Sequence, residues 1–281
     1  MLKTGSWPVA ILAALLIAVQ GIHAQGTGGK IIDPGLELAD NGRSLGVLIS
    51  GVNLTGSSAN TLGGWGHFSV GVTGALSHPS FLKGNVSSGS VVAVLRAGLT
   101  EGMILGPGLH GVGSIDIYLR LGTLRANGRQ SADTDIWGLG TRIGILRNSI
   151  LTPAVSISAG YTRTGSFGLS EVIHGPYPGP RDADISTLSI RCDVSKNLFF
   201  LTPMAGIGFN RTRIEGAASA NVPSGKYPYA TYFSLAGYEV TRTDAVYYAG
   251  VEWNFFLFRL GLEVGRTGGE TIGSTSLRLS L

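Results

Sequence analysis

The feature that most constrains this chain is a strict alternation of apolar and polar residues. The stretch GSIDIYLRLG (113–122) carries an apolar side chain at every second position from Ile115 to Leu121. Because successive side chains of a strand point to opposite sides, the stretch forms one apolar face and one polar, partly charged face. A soluble sandwich would turn the apolar face inward, whereas an outer-membrane barrel would turn it outward.

Segments of the same kind recur along the chain. Most run for about 9 to 11 residues, which suits a tilted membrane-crossing strand better than the shorter strands of soluble sheets. The predicted strands cover 66–76, 90–99, 112–122, 136–146, 153–163, 186–194, 199–213, 244–254, 256–265 and 271–281, with two further candidates at 45–55 and 232–241. Since single-chain bacterial barrels have even strand numbers, we expect about 12 strands, within a range of about 10 to 14.

Composition favours the outward direction of the apolar face. Only 14% of the residues are charged and 44 are glycines, whereas soluble domains average about 25% charge. The face opposite the apolar one mixes Gly, Ser and Thr with single charges that a packed soluble core would rarely accept. Backbone groups in a bilayer are satisfied only by helices or closed barrels. The sequence therefore predicts an all-β fold, a transmembrane antiparallel up-and-down β-barrel.

The N-terminal residues predict export. Residues 1–24 have the lysine, apolar core and small final residue of a cleaved signal peptide. Residues 63–281 form the predicted barrel. Residues 25–62 lack clean alternation and are interpreted as a first strand, a periplasmic extension or a plug inside the lumen. Long outer loops are predicted at 77–89, 122–133, 165–184 and 214–231.

The last strand and two other stretches carry a resemblance to a known family. The chain ends in STSLRLSL, with Leu277, Leu279 and Leu281 alternating. Together with LGGWGHFSVGVTGAL (62–76) and WGLGTRIGILRNSILTPAVSISAGYTRTG (137–165), this pattern resembles Gram-negative outer-membrane β-barrel proteins, and loosely the barrels of the long-chain fatty-acid transporter type. The resemblance implies a cell outer-membrane location, outer-membrane lipid and lipopolysaccharide as surroundings, and insertion by the barrel-assembly machinery. The family commonly ends in Phe, where this chain has Leu281.

Catalytic and cofactor motifs are weak in this sequence. GPGLHG (106–111) fits the glycine pattern of a dinucleotide loop but lies between two strands, which indicates a turn. His78 beside Ser77, or His174 beside Glu171, would be the candidates for a catalytic set at the outer rim. We expect no enzyme activity, no metal and no cofactor. The net charge of +4 is too mild to predict nucleic-acid binding.

Charged and aromatic residues of the polar face are the most informative candidates. They are either an ion-pair network that fills the barrel or the wall of a solute path. We expect passive transport of a small solute, more readily anionic or amphipathic than cationic. The alternative is a non-transporting scaffold or surface-binding protein that uses its long outer loops. The candidate lumen-lining residues are Arg96, Asp116, Tyr118, Arg120, Arg142, Arg191, Asp193, Glu252, Arg259, Glu263 and Arg278.

Overall fold

A computed structural model describes the part of the chain that forms the barrel. The described residues are 44, 46–47, 49–54, 57–78, 80–81, 84–104, 106, 111–127, 131–150, 152–166, 180–222 and 231–280. The predicted signal peptide, residues 25–43, Glu171 and His174 lie outside this set.

Ten long strands close into a single barrel, as the alternation predicts for a membrane-crossing sheet. Every strand pairs antiparallel with its neighbour along the chain, and the first strand closes the ring on the last. A separate two-stranded sheet is made of β2 (Ser80–Phe81) and β3 (Gly84–Asn85). The barrel strands are β1 (Phe68–Ser77), β4 (Ser87–Thr100), β5 (Ser114–Asn127), β6 (Ser131–Leu146), β7 (Ala154–Thr164), β8 (Pro180–Ser195), β9 (Leu201–Val222), β10 (Thr231–Phe255), β11 (Phe258–Thr267) and β12 (Glu270–Ser280).

The expected count of 12 strands is wrong by two, and both extra candidates have a physical explanation. Residues 46–47 and 49–53 are helical instead of extended. Their apolar spacing suits a helix as well as a strand, and their position inside the barrel favours the helix. Residues 232–241 belong to β10, which runs without a break from Thr231 to Phe255. Among the described residues, no helix is long and apolar enough to cross a membrane.

The barrel has two distinct ends. Connections at 101–113, 147–153, 196–200 and 256–257 lie at one end, which we call the turn end. At the opposite end, which we call the loop end, β1, β5, β7, β9 and β11 end and β4, β6, β8, β10 and β12 begin.

Two of the predicted outer loops, 122–133 and 214–231, are shorter than expected because the strands extend beyond the apolar alternation. Most of the predicted loop at 165–184 lies outside the described residues. β5 and β6 take up most of 122–133, and β9 and β10 take up most of 214–231. β8 begins at Pro180, which pairs with Ala218 beside an irregularity in the register. A proline is compatible with the first residue of a strand, where its missing N–H breaks no interior bond.

The outer surface of the barrel carries an apolar band. On β5, Ile117, Leu119 and Leu121 are 44%, 40% and 51% exposed. We counted the outward-facing residues of each strand from the turn end. Four or five uncharged residues come before the first charged one on β5, β6, β7, β9 and β11. That height corresponds to the roughly 9 to 11 residues of a membrane-crossing strand. Other members of the apolar face are Val70, Val72, Leu95, Leu139, Ile143, Leu188, Ile207, Leu260, Leu262 and Leu277.

Aromatic residues and charges mark the two borders of this band. At the turn end, Phe199 and Phe256 stand in tight turns with positive φ and are 97% and 99% exposed. Towards the loop end, the rings of Trp137 and Tyr161 lie 5.7 Å apart on neighbouring strands. The exposed charges of the described strands lie on the loop-end side of the band: Arg125, Asp133, Asp135, Arg163, Arg211, Arg213, Glu239 and Arg266.

Several of these exposed charges are paired. Arg125 donates two hydrogen bonds of 2.7 Å to Asp133 on the neighbouring strand. These bonds favour the ionised carboxylate and lower the pKa of Asp133. Arg213 donates to Glu239, and that hydrogen bond raises the pKa of the arginine. Both pairs lie in a region that water reaches, beyond the apolar band.

Candidate lumen site

The barrel encloses a stretch of its own chain. Residues 44–62, which we call the lumen segment, are helical at 44, 46–47 and 49–53 and have no regular structure at the described positions that follow. Its described residues are nearly all buried, with Ile49 and Leu54 at 0% exposure. The segment hydrogen-bonds to inward-facing residues of β4, β5, β6, β7, β8, β9 and β10.

The lumen segment runs along the barrel axis. Near its start, Ser50 Oγ accepts a hydrogen bond of 2.8 Å from Asn210, well inside β9. Near its end, the N–H of Leu62 donates to both carboxylate oxygens of Asp116, at 2.9 and 3.2 Å, close to the first residue of β5. The partners therefore move from the loop-end half of the barrel to its turn end as the residue number rises.

Asn53 forms the central contact between the segment and the wall. Its Oδ1 accepts hydrogen bonds of 2.8 Å from Arg120 and from Thr162. Its backbone carbonyl accepts a third, of 2.6 Å, from Arg191. One residue of the segment thus binds three strands.

Nearer the turn end than Asn53, two serines of the segment accept hydrogen bonds from two further arginines. Arg96 donates to Ser57 Oγ at 2.8 Å, and Arg142 donates to the Ser58 carbonyl at 2.6 Å. The Ser58 N–H in turn donates to Glu252 at 3.1 Å. The Ser58 backbone thus pairs with charges of both signs, as buried polar groups require.

Glu252 is the main acceptor of the turn-end half. Arg278 donates to one of its oxygens, and Arg259 Nη1 lies 3.7 Å from the other. The carboxylate is 1% exposed. Because a buried charge is costly unless it is paired, this cluster holds together only while all its partners are in place.

Two tyrosines support the inward arginines. The Tyr118 ring of β5 lies across Gly140 of β6 and Gly160 of β7, where any Cβ would overlap it. The guanidinium carbon of Arg120 lies 4.6 Å from the centre of the same ring. Glycine at these positions therefore gives the ring room to lie flat against the wall and to carry the arginine, a cation–π arrangement.

The second tyrosine repeats the arrangement on the opposite side of the lumen. Tyr248 lies over Gly206 and donates a hydrogen bond to Asp193. The guanidinium carbon of Arg191 is 5.4 Å from the Tyr248 ring centre. Asp193 also accepts from Ser158 at 3.2 Å.

Two clusters of apolar side chains lie in the loop-end half of the lumen. Ile49 and Val52 pack there in one buried cluster with strand residues such as Leu124 and Ile136. Val47 and Leu54 pack in a second cluster with Val246, Tyr248 and Ile272. The helical part of the segment thus serves as the apolar core of the barrel where the outer surface becomes charged.

The predicted lumen residues are nearly all placed inside the ring. Ten of the eleven are at most 9% exposed, and Arg259 is the exception, at the turn end with a side chain 34% exposed. Within the ring, Arg120 bonds to Asn53 of the segment and Arg259 lies beside Glu252. The buried residues are Arg96, Asp116, Tyr118, Arg120, Arg142, Arg191, Asp193, Glu252, Glu263 and Arg278.

The sequence analysis missed three residues of the lumen segment and one residue of β9 that take part in these contacts. Asn53, Ser57, Ser58 and Asn210 are all buried and hydrogen-bonded in the lumen. A usable signal existed for the first three. They lie in SGVNLTGSSAN (50–60), a run of small polar residues that directly follows a helix-like apolar pattern and lacks strand alternation.

The described residues contain no group of three or more His, Cys, Asp or Glu that could hold a metal ion. Ser77, one candidate for an outer-rim catalytic set, is buried and its Oγ lies 2.6 Å from Ser88 Oγ. His78 beside it is exposed.

Comparison with known proteins gives similarity to solved barrels only. No family model matches the chain, and no curated protein matches it. The translocator domain of the autotransporter NalP from Neisseria meningitidis is 12% identical with a TM-score of 0.42, covering 88% of this chain and 96% of that chain. The transport unit of the autotransporter AIDA-I from Escherichia coli is 11% identical with a TM-score of 0.41, covering 85% and 97%. Ail, the attachment invasion locus protein of Yersinia pestis, is 13% identical with a TM-score of 0.34, covering 77% and 97%.

Proposed function

We propose that this chain is an outer-membrane β-barrel whose lumen is closed by residues 44–62, and that a small solute passes only when this segment moves aside. The observation that carries the proposal is the path of the lumen segment along the axis, hydrogen-bonded from Asn210 to Asp116. The interior of a barrel of about this size can be filled by side chains. A solute can therefore pass only after part of that filling moves away.

The apolar band supports the membrane location. A belt of leucine, isoleucine and valine that is about half exposed would be an aggregation hazard in water, whereas lipid covers it at no such cost. In this proposal, residues 1–24 direct export and are removed, the barrel-assembly machinery inserts the chain, and lipid and lipopolysaccharide surround it.

The charges of the lumen wall set the solute class. Of the predicted wall residues, six are arginines and four are acids. Arg96, Arg120 and Arg191 bond mainly to the segment in its closed position, so its departure would leave them free to attract an anion. The solute we propose is therefore small and anionic or amphipathic.

Conductance in planar bilayers tests the proposal. Replacing Ala59 with Pro removes the N–H that donates to Ser195 Oγ at 2.9 Å and loosens the segment at its turn end. We expect brief, rare openings of the wild type and more frequent, anion-preferring openings of A59P in asymmetric salt.

A disulfide lock gives the opposite change. The side-chain oxygens of Thr61 and Ser114 lie 2.7 Å apart, so the pair T61C and S114C in a C192S background should join the segment to β5. We expect the oxidised form to stay shut and the reduced form to recover wild-type openings. If A59P never conducts while it remains folded, the transport proposal is wrong and the surface-binding scaffold is favoured.

A further inference from the structure

A small closed cavity lies in the middle of the lumen, between the lumen segment and the wall. Its volume is about 10 Å³, which is about the space of one water-sized sphere. It therefore holds one small ion or molecule at most. The wall residues that matter here are Asn53, Arg120, Arg142, Arg191, Asp193 and Tyr248.

Positive charge predominates around the cavity. Three arginines line it and one carboxylate, Asp193. That carboxylate already accepts hydrogen bonds from Tyr248 and Ser158 and lies 3.8 Å from Arg142. Since the surroundings are buried and of low dielectric, the excess charge is poorly screened.

The wall also holds buried donors that lack an acceptor. Arg191 Nε and Nη2, Arg120 Nε and Asn53 Nδ2 have no acceptor among the described residues. The three side chains are 5%, 3% and 1% exposed. The Oδ1 of Asn53 cannot serve these donors, because it already accepts hydrogen bonds from Arg120 and Thr162.

We propose that this cavity binds one halide ion, which is chloride under cellular conditions. A water molecule would bring two hydrogens to a wall that is rich in donors, whereas a halide accepts hydrogen bonds from every side. Sulfate, phosphate and carboxylates are larger than a halide and fit this small space less well. Because Asn53 belongs to the lumen segment and the arginines belong to β5, β6 and β8, the ion would hold the segment against the wall. The site does not depend on whether the barrel conducts.

Halide dependence of stability is the first test, on the full chain refolded in detergent. At constant ionic strength, we expect the melting midpoint to rise with the logarithm of chloride or bromide concentration, and to stay level in gluconate or sulfate. Crystals grown in bromide should show an anomalous peak between Arg120 and Arg191. A midpoint that ignores halide, or a cavity that holds water in those crystals, would overturn the site.

Replacing Asn53 with Asp separates this site from a merely structural role. The substitution keeps the acceptor for Arg120 and Thr162 and puts a carboxylate oxygen where Nδ2 points. The side chain itself then provides the negative charge that the halide would bring. At pH 7, we expect N53D to melt at a higher temperature than the wild type without chloride and to lose the chloride response. A variant that is less stable in both buffers, or that keeps the wild-type response, would contradict the proposal.

The matched control is the same substitution at Asn210. This residue is also 1% exposed and also contacts the lumen segment, through Ser50, but does not line the cavity. We expect N210D to lose stability and to retain the full chloride response. If N210D abolishes that response as well, the halide effect does not come from this cavity.

Discussion

Arg120 of β5 donates a hydrogen bond of 2.8 Å to Oδ1 of Asn53, and both side chains are almost completely buried. The bond joins the wall of the barrel to the segment inside it. Thr162 donates to the same oxygen, and Arg191 donates to the Asn53 carbonyl. Asn53 is therefore the residue through which three strands hold the lumen segment.

Removing this acceptor should cost much of the stability of the closed barrel. Asn53→Ala leaves the guanidinium of Arg120 without its acceptor, and a hydrogen bond to a charged group contributes about 1.5 to 3 kcal/mol. We expect a loss of that size in the free energy of unfolding, measured by urea titration of the refolded protein.

Asn60→Ala is the control for that variant. Asn60 is only partly buried and its Oδ1 accepts one neutral N–H, from Asn148 at the turn end. A neutral hydrogen bond contributes about 0.5 to 1.5 kcal/mol, so the loss should be clearly smaller. Equal losses at the two positions would show that Asn53 has no special part in holding the segment.

A second prediction concerns Glu252. Its carboxylate accepts from Arg278 and from the Ser58 N–H. Glu252→Gln removes the charge and leaves Arg278 buried without its counter-ion, a change that costs about 3 to 5 kcal/mol. Chemical unfolding of the variant measures this directly.

The matched control is Glu239→Gln on the outer surface. Glu239 pairs with Arg213, and both side chains are about half exposed, at 53% and 52%. Exposed pairs contribute about 0 to 1 kcal/mol. A loss at Glu252 as small as that at Glu239 would mean that the lumen cluster adds nothing to stability.

A third prediction tests the membrane border along one strand. Leu119, Leu121 and Thr123 point outward in that order towards Arg125. An arginine at Leu119 should cost about 2 to 4 kcal/mol in lipid vesicles, and the cost should fall to about 0 to 1 kcal/mol at Thr123, near the interface. Equal costs at the three positions would place β5 outside the bilayer.

Much of the fold can be predicted from the sequence because strand alternation is a local property. The ten strands predicted from clear alternation all occur, since each has enough outward apolar residues to fix its register. The strand number was overestimated because 45–55 has apolar residues that suit either a strand or a helix. Its helical state depends on the enclosed barrel, which no local pattern contains.

The partners inside the lumen could not be predicted in the same way. The inward direction of Arg120 follows from alternation, but its bond to Asn53 joins residues that lie 67 positions apart in the chain. Predicting this contact requires the path of the lumen segment. The resemblance to long-chain fatty-acid transporter-type barrels stays a prediction.

One signal for the loop-end core was present in the sequence. On β5 the apolar residues occupy odd positions up to Leu121 and then shift to Leu124 and Ala126, with Arg125 between them. The structure explains the shift, because Leu124 and Ala126 are 1% and 0% exposed in the interior while Arg125 points outward. In the proposed membrane location, the change of phase marks the level at which lipid gives way to water outside the barrel.

The last prediction uses this change of phase. Leu124→Ala removes a side chain from the buried cluster that contains Ile49 and Val52, and such a truncation in a core costs about 2 to 5 kcal/mol. Leu121→Ala, three residues earlier and 51% exposed, leaves a gap that detergent fills, and surface changes are usually within about 0.5 kcal/mol. Urea unfolding of both variants in the same detergent should therefore separate them by more than 1.5 kcal/mol, about the difference between these ranges. If Leu121→Ala is the more damaging of the two, the apolar residues of β5 do not change faces, and the lumen segment has no core to pack against at the loop end.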